Sequence, residues 1–321
     1  MARMLRTSLT DLLGIDVPVI GAPMAGVSGG RLAAAVTAGG GLGMIGAGNT
    51  TPPEWIAAEA GRAREAGARF GVGLMAWALP GLPGQFEAAV QARPALVSVS
   101  FGDLSPWAAR LREAGIVVAT QVGRVDEARA AADQGADVIV ARGAEGGGHG
   151  LDEVATLPLL EGVLDAVSQP VLAAGGIATP RGLAAVLAAG AAGAWIGTAL
   201  LACPEALIDP QARARIRAAR ETDTVYTRVF DVALRIGWPP QYGGRALANE
   251  FSRRWAGRED ELAAAATGAR EELSAARKRG DYDIAYQYAG QAVGLVREER
   301  PAAEVVAGLA AGAEQLLRSR G

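Results

Sequence analysis

The amino-acid sequence predicts an α/β protein, a (β/α)8 TIM barrel with a C-terminal helical appendage. The first observation is a repeated unit, in which an Ala-rich helical stretch ends at a glycine and a short apolar run follows within a few residues. The glycines are Gly39, Gly67, Gly115, Gly135 and Gly190. Glycine just past a helix readily takes the left-handed cap conformation. Continuous apolar runs are typical of parallel strands that are buried on both faces.

The second observation is the number of such runs. Eight candidate strands fall within about the first 200 residues: Val17–Ala22, Leu42–Ala47, Arg69–Met75, Ala95–Phe101, Ile116–Gln121, Asp137–Arg142, Pro170–Ala174 and Ala194–Thr198. A TIM barrel needs eight βα units and has a typical size of about 250 residues. An open, doubly wound sheet is the alternative, since periodicity does not exclude it. Glycine-rich turns after several strands favour the barrel, whose functional site lies on its C-terminal rim.

The pattern changes after Pro204, so we predict a barrel over residues 1–204 and a mostly helical region over 205–321. The predicted helices of this region are Ala212–Arg220, Glu259–Lys278 and Pro301–Arg318. The stretch Val225–Trp255 carries Trp, Tyr and Pro, and the sequence does not place it. We expect the region to fold over the barrel mouth and shape a substrate pocket. The alternative is that this region only packs against the barrel or against a second subunit and shapes no pocket.

Composition excludes several classes of function. The chain has 321 residues, a formal net charge of −3 and no strong basic excess, which argues against nucleic-acid binding. No uncharged apolar stretch has the length and flanks of a membrane span, and the first fifteen residues lack the apolar core of a signal peptide. The single cysteine, Cys203, excludes an internal disulfide and an all-cysteine metal site. We expect a cytoplasmic protein without a metal, with room for a homodimer contact.

His149 is the only histidine of the chain and stands in the glycine-rich segment Ala144–Gly150, directly after the apolar run Val138–Ala141. Histidine is suited to proton transfer near neutral pH, and glycines leave space beside the backbone. An imidazole on such a loop, at the end of a buried strand, is a candidate catalytic group. A histidine that only faces solvent is the alternative.

Two glycine clusters suggest a phosphate site. Gly175 and Gly176 follow the seventh candidate strand, while Gly197 and Thr198 end the eighth. TIM barrels commonly bind phosphate in these two loops, where backbone N–H groups and a hydroxyl can surround the anion. Each cluster alone is also compatible with a tight turn. The sequence has neither a P-loop nor a dinucleotide-binding glycine motif.

The segment Ala22–Gly26 ends the first candidate strand. Pro23 has no backbone N–H and Gly26 permits close approach, so this backbone can lie beneath a planar ring. An ordinary strand-to-helix turn is the alternative, and for this segment by itself it is the better interpretation.

In this order along the chain, these segments resemble the nitronate monooxygenase family, whose members are FMN-dependent TIM-barrel enzymes. The resemblance runs from Thr7 to Glu205 and returns around Ala289–Leu295. It implies that His149 is the catalytic residue beside the flavin. It also implies an FMN-binding set of Ala22, Pro23, Met24, Gly73, Gln121, Arg142, Gly147, Gly148, Gly175, Gly176, Trp195, Ile196, Gly197 and Thr198.

The chain departs from the family pattern at three places. Gly73 stands where the family commonly has Asn, Arg142 where it commonly has Gln, and Ala199-Leu200 where Arg-Phe is frequent. An inward-pointing Arg142 would favour an anionic reduced flavin or an anionic substrate. The alternative is that the Arg142 side chain lies on the barrel exterior or forms a salt bridge with Glu145.

The resemblance implies oxidation of an alkyl nitronate with O2 to a carbonyl compound and nitrite, on FMN. His149 would accept a proton from a neutral nitroalkane or hold the anionic nitronate. The first alternative is an FMN-dependent NAD(P)H reductase of the enoyl-acyl-carrier-protein or quinone type. The second is a non-catalytic flavin or small-molecule binding protein.

Overall fold

The computed structural model describes residues 5–82 and 84–319, so the predicted domain limits at residues 1 and 321 lie outside the described residues. Its centre is an eight-stranded parallel sheet. With strands numbered in chain order over the whole structure, the eight are β1 (Val19–Gly21), β2 (Gly43–Gly46), β3 (Phe70–Met75), β4 (Leu96–Ser100), β5 (Val117–Val122), β6 (Val138–Arg142), β8 (Val171–Ala174) and β9 (Gly193–Ile196).

The sheet closes into a barrel. Its strand order is β1-β9-β8-β6-β5-β4-β3-β2, and a parallel bridge between Ile20 and Leu42 joins the two ends of that order. Each of the eight candidate strands overlaps one observed strand. The barrel is therefore confirmed and the open sheet is wrong.

Fourteen helices are found in the described residues. They are α1 (Ser8–Leu13), α2 (Gly30–Ala38), α3 (Pro53–Glu65), α4 (Gln85–Gln91), α5 (Ser105–Glu113), α6 (Val125–Asp133), α7 (Thr156–Ala166), α8 (Pro180–Ala188), α9 (Pro210–Ala218), α10 (Val229–Leu234), α11 (Glu250–Trp255), α12 (Glu259–Ala264), α13 (Ala266–Arg279) and α14 (Ala302–Arg318). No helix in this part of the chain is long and apolar enough to cross a membrane.

The last helix completes the outer layer of the barrel. α14 packs against α8 and α2, so it stands where the helix of the eighth βα unit belongs. Small residues allow close approach: a Cβ added at Gly39 would lie 2.7 Å from the Ala303 carbonyl oxygen, and one at Gly312 would lie 2.7 Å from the Pro180 ring. Along the chain, residues 205–300 thus lie between β9 and α14, the helix of the same βα unit. The division of the chain at residue 204 stays a prediction.

The core has two layers because the strands are buried on both faces. Side chains such as Ile20, Met44, Leu96 and Leu172 fill the barrel interior, and Leu9 of α1 packs with them. The second layer lies between the strands and the surrounding helices, and it includes the apolar face of α14. This packing fixes the carboxyl ends of the strands, where the loops of the rim begin.

A small antiparallel sheet joins the 205–300 segment to the barrel rim. It consists of β7 (Gly148–Gly150), β11 (Gly243–Leu247) and β10 (Thr224–Thr227), with β11 in the middle. The sequence did not predict these strands. The helix predicted over Glu259–Lys278 is interrupted at Ala265, which separates α12 from α13. The position of β7 matters for the site, because it contains His149.

Candidate active site

A cavity of about 740 Å³ opens at the carboxyl ends of the barrel strands. The glycine-rich strand ends form one wall, and Asp231, Trp238 and Tyr288 of the later chain form part of the other. Every site residue predicted from the sequence lines this cavity except Ile196. The Ile196 side chain is buried in the layer between the strands and the helices.

The strand pairing of β7 fixes the position of His149. In the antiparallel register with β11, His149 stands opposite Gly244. A Cβ at Gly244 would lie 2.5 Å from the ring of Tyr288, so only glycine leaves room for that ring beside the imidazole. His149 is therefore held by regular structure, and the solvent-facing alternative is wrong because its side chain is only 10% exposed.

A buried carboxylate contacts the imidazole. His149 Nε2 lies 3.0 Å from both Oδ1 and Oδ2 of Asp231, whose side chain is 2% exposed. An ionised carboxylate only accepts hydrogen bonds, so an ionised Asp231 pairs with an imidazole that is protonated on Nε2. The Tyr288 hydroxyl lies 3.5 Å from Oδ1 of the same carboxylate. Burial, and then the charge of Asp231, raise the pKa of Tyr288 well above its ordinary value, so its hydroxyl stays protonated.

Aromatic rings cover the imidazole. The ring of Trp238 stacks on His149 with a centroid distance of 3.8 Å and an interplanar angle of 8°. Tyr288 approaches from another side at 5.0 Å. Together these rings limit the rotation of the imidazole and keep water away from the His149–Asp231 contact.

The sequence did not identify Asp231 or Trp238 as site residues, and it left open whether Tyr288 reaches the pocket. All three lie outside the βα repeats, so no strand end placed them on the rim. One signal was present for Asp231, which is the single charge in the apolar run Val229–Leu234. A charge in such a run is buried with its helix face and therefore needs a partner.

Arg142, at the end of β6, is inside the protein and 3% exposed. Its guanidinium donates hydrogen bonds to the carbonyl oxygens of Leu151 at 2.9 Å and Gly148 at 3.0 Å, and also to that of Gly146. Neither alternative from the sequence holds, because the side chain is not on the exterior and Glu145 instead accepts hydrogen bonds from Thr156. Burial lowers the pKa of Arg142 to about 10, so it remains a cation at neutral pH.

The two glycine clusters lie together on the cavity wall and suit an anion. Gly175 and Gly176 have φ values of 103° and 73°, a region that favours glycine. Within the described chain, the backbone N–H groups of Gly176 and Gly197 have no acceptor. The Thr198 hydroxyl oxygen accepts a hydrogen bond from the Gly290 N–H at 2.9 Å and keeps its own proton to donate. Unpaired donors from two adjacent loops match the predicted phosphate site.

Gly73, which stands where the family commonly has Asn, has a steric explanation. A Cβ added there would lie 2.3 Å from both Cβ and Cγ of Pro23. The pyrrolidine ring therefore packs directly on the Gly73 backbone, and a longer side chain at residue 73 would displace Pro23 from the cavity wall.

Gly73→Ala should lower the free energy of unfolding by about 1–3 kcal/mol, because the added methyl overpacks the contact with Pro23. Thermal and urea unfolding measure this change. Gly61→Ala is the matched control, since Gly61 lies within α3 and a Cβ there meets nothing within 4 Å. The control should be neutral or stabilising by up to about 1 kcal/mol. Equal stability of the two variants would contradict the packing argument.

Comparison with known proteins identifies related chains. A family model described as nitronate monooxygenase matches residues 6–77 and 63–312. A nitronate monooxygenase of Paraburkholderia phytofirmans is 33% identical over 95% of this chain and 94% of that protein. A (3aS,4S,5R,7aS)-5-hydroxy-7a-methyl-1-oxo-octahydro-1H-indene-4-carboxyl-CoA dehydrogenase of Rhodococcus jostii is 37% identical over 71% of this chain. The match covers 64% of that dehydrogenase, which is less than two thirds of its length.

A solved structure is similar over nearly the whole molecule. FabK from Thermotoga maritima superposes with a TM-score of 0.87 and 30% sequence identity, covering 98% of both chains. The likeness therefore includes the 205–300 segment as well as the barrel.

Proposed function

Because the chain belongs to the nitronate monooxygenase family, we propose that it is an FMN-dependent monooxygenase that oxidises alkyl nitronates with O2 to a carbonyl compound and nitrite. The observation that carries this proposal is the position of His149. The only imidazole of the chain lines the same cavity as the predicted phosphate loops. The candidate catalytic group and the loops predicted to bind phosphate thus share one cavity.

The cavity wall fits FMN. The unpaired N–H groups of Gly176 and Gly197, together with the Thr198 hydroxyl, would hold its phosphate. The flat surface formed by Pro23 packed on Gly73 would lie against its ring. When bound, FMN would supply the redox chemistry that amino-acid side chains lack.

The residues around His149 would bind and orient the substrate. His149 would accept a proton from a neutral nitroalkane, or as an imidazolium it would donate a hydrogen bond to an anionic nitronate. The buried cation of Arg142 lies behind the glycine loop and makes this wall favourable for negative charge. The rings of Trp238 and Tyr288 would exclude water from the reacting end.

Anaerobic mixing of the FMN-loaded protein with propionate 3-nitronate should bleach the flavin absorbance, and nitrite should appear once air is admitted. A parallel mixture with NADH or NADPH should leave the flavin oxidised. Bleaching by the nicotinamide alone would contradict the oxygenase and favour the reductase. Tight FMN binding without reduction by either compound would favour a binding protein, and a protein that takes up no FMN would contradict every flavin-based proposal.

The reductase is the second candidate, and one comparison favours it. The Rhodococcus jostii relative is named as a carboxyl-CoA dehydrogenase. For this candidate function, the same residues would hold FMN, which would supply redox chemistry between a nicotinamide cofactor and an enoyl thioester or a quinone. The anaerobic comparison of nitronate with NADH separates the two candidates directly.

A further inference from the structure

The contact between His149 and Asp231 defines which imidazole nitrogen is available for chemistry. We propose that Asp231 is a positioning residue that holds His149 as its Nε2–H tautomer, so that Nδ1 is the nitrogen that exchanges a proton with the substrate. This inference rests on the proposed function for its chemical consequence. Its structural part concerns the protein alone and is tested separately.

With an ionised Asp231, this geometry requires the proton to be on Nε2. Both oxygens of Asp231 lie 3.0 Å from Nε2, and a carboxylate cannot donate to a nitrogen lone pair while it is ionised. The stacked ring of Trp238 opposes a flip of the imidazole about its χ2 angle. No residue of the described chain makes a hydrogen bond to Nδ1, which leaves this nitrogen for a ligand in the cavity.

His149 is also the nearest side-chain partner of the buried Asp231. The Asp231 side chain is 2% exposed, and its contacts in the described chain are the imidazole and the neutral hydroxyl of Tyr288. A buried carboxylate gains stability from a positive partner at this distance. Protonation of Nδ1 converts the pair from a net charge of −1 to an internally neutral ion pair.

Other charged or titratable groups lie farther away on the surrounding elements. Tyr286 and Tyr288 follow α13, with ring centroids 5.4 Å apart. Arg277 of α13 stands over the Tyr286 ring at 5.0 Å. Arg142 reaches the backbone of β7 through the Gly148 carbonyl. None of these groups makes a hydrogen bond to the imidazole, so the proton position on His149 depends chiefly on Asp231.

The consequence for a neutral nitroalkane is a balanced proton transfer. The Cα–H bond breaks, its electron pair passes into the nitro group to give the nitronate anion, and the proton binds Nδ1. The resulting imidazolium is held between the nitronate and Asp231. An already ionised nitronate does not need this step, so loss of Asp231 should slow turnover of the nitroalkane more than turnover of the nitronate.

The sole histidine of the chain makes the test direct. Protein labelled with ¹⁵N only in histidine gives the signals of one imidazole, and ¹⁵N NMR distinguishes a protonated from an unprotonated ring nitrogen. In the neutral ring we expect Nε2 protonated and Nδ1 unprotonated. Asp231→Asn removes the charge and can donate its amide N–H to Nε2, so we expect the proton to move towards Nδ1. Turnover of neutral nitroalkane should fall about 10²-fold or more.

Two variants serve as controls. Asp165→Asn, at an exposed position of α7, should leave the spectrum unchanged. Tyr288→Phe removes the other side-chain contact of Asp231 and should keep the Nε2–H tautomer. A wild-type imidazole protonated on Nδ1 would overturn the inference, as would an Asp231→Asn variant with unchanged tautomer and unchanged turnover. If the spectra are as expected but the protein oxidises no nitronate, the result counts against the proposed function and leaves the tautomer inference intact.

Discussion

His149→Ala should lower kcat/KM for a neutral nitroalkane by about 10² to 10⁴-fold, the range expected when a positioned acid–base group is removed. FMN should remain bound, because the glycine and threonine groups assigned to its phosphate lie in the loops after β8 and β9. Steady-state assays of nitrite formation and the absorbance spectrum of the purified variant measure the two effects together.

The mutation also leaves Asp231 without its main partner in a buried position. We therefore expect some loss of stability, which His149→Gln should lessen because its amide can still donate to the carboxylate. If a flavin-loaded His149→Ala variant kept full activity, the assignment of His149 would be wrong.

Arg142→Met should reduce the free energy of unfolding by about 2–4 kcal/mol and should weaken FMN binding. Methionine fills much of the same volume but leaves the carbonyl groups of Gly146, Gly148 and Leu151 without their donor. These carbonyls set the path of the loop that carries His149. Urea unfolding and fluorimetric titration with FMN measure the two losses.

The matched control is Arg129→Met on α6, which removes an exposed arginine. It should change stability by less than about 0.5 kcal/mol. The same small change at Arg142 would show that the loop keeps its conformation without the guanidinium. It would contradict the proposal that Arg142 stabilises this loop through its hydrogen bonds.

The barrel could be predicted from the sequence because each βα unit carries its own local signal. The continuous apolar runs and the glycines that follow the helices identify strands without knowledge of their neighbours. For the same reason, the glycines that follow strands, Gly175, Gly176 and Gly197, could be placed on one rim, and in the structure they line a common cavity.

The other wall of the cavity could not be predicted, since its residues reach the rim through long-range packing. Asp231 is 82 residues from His149 along the chain. The short strand β11 pairs with β7 on one side and with β10 on the other, through registers that no local pattern specifies. The direction of Arg142 was likewise undecided, because a residue at the end of a strand gives no sign of which carbonyl groups its side chain will meet.

The packing of α14 on α2 and α8 has a consequence for how the protein is made. A ribosome releases the chain from its N-terminus, so all eight strands and the whole 205–300 segment emerge before the helix that covers the last side of the barrel. Until then, Val306, Leu309 and the other buried apolar residues of α14 are missing from the outer core, and the face of α2 and α8 that they cover is exposed. The nascent polypeptide must therefore keep this face from aggregation until α14 has been translated. A stop codon shortly before Pro301 should yield an insoluble product even though every residue of the cavity wall has been translated.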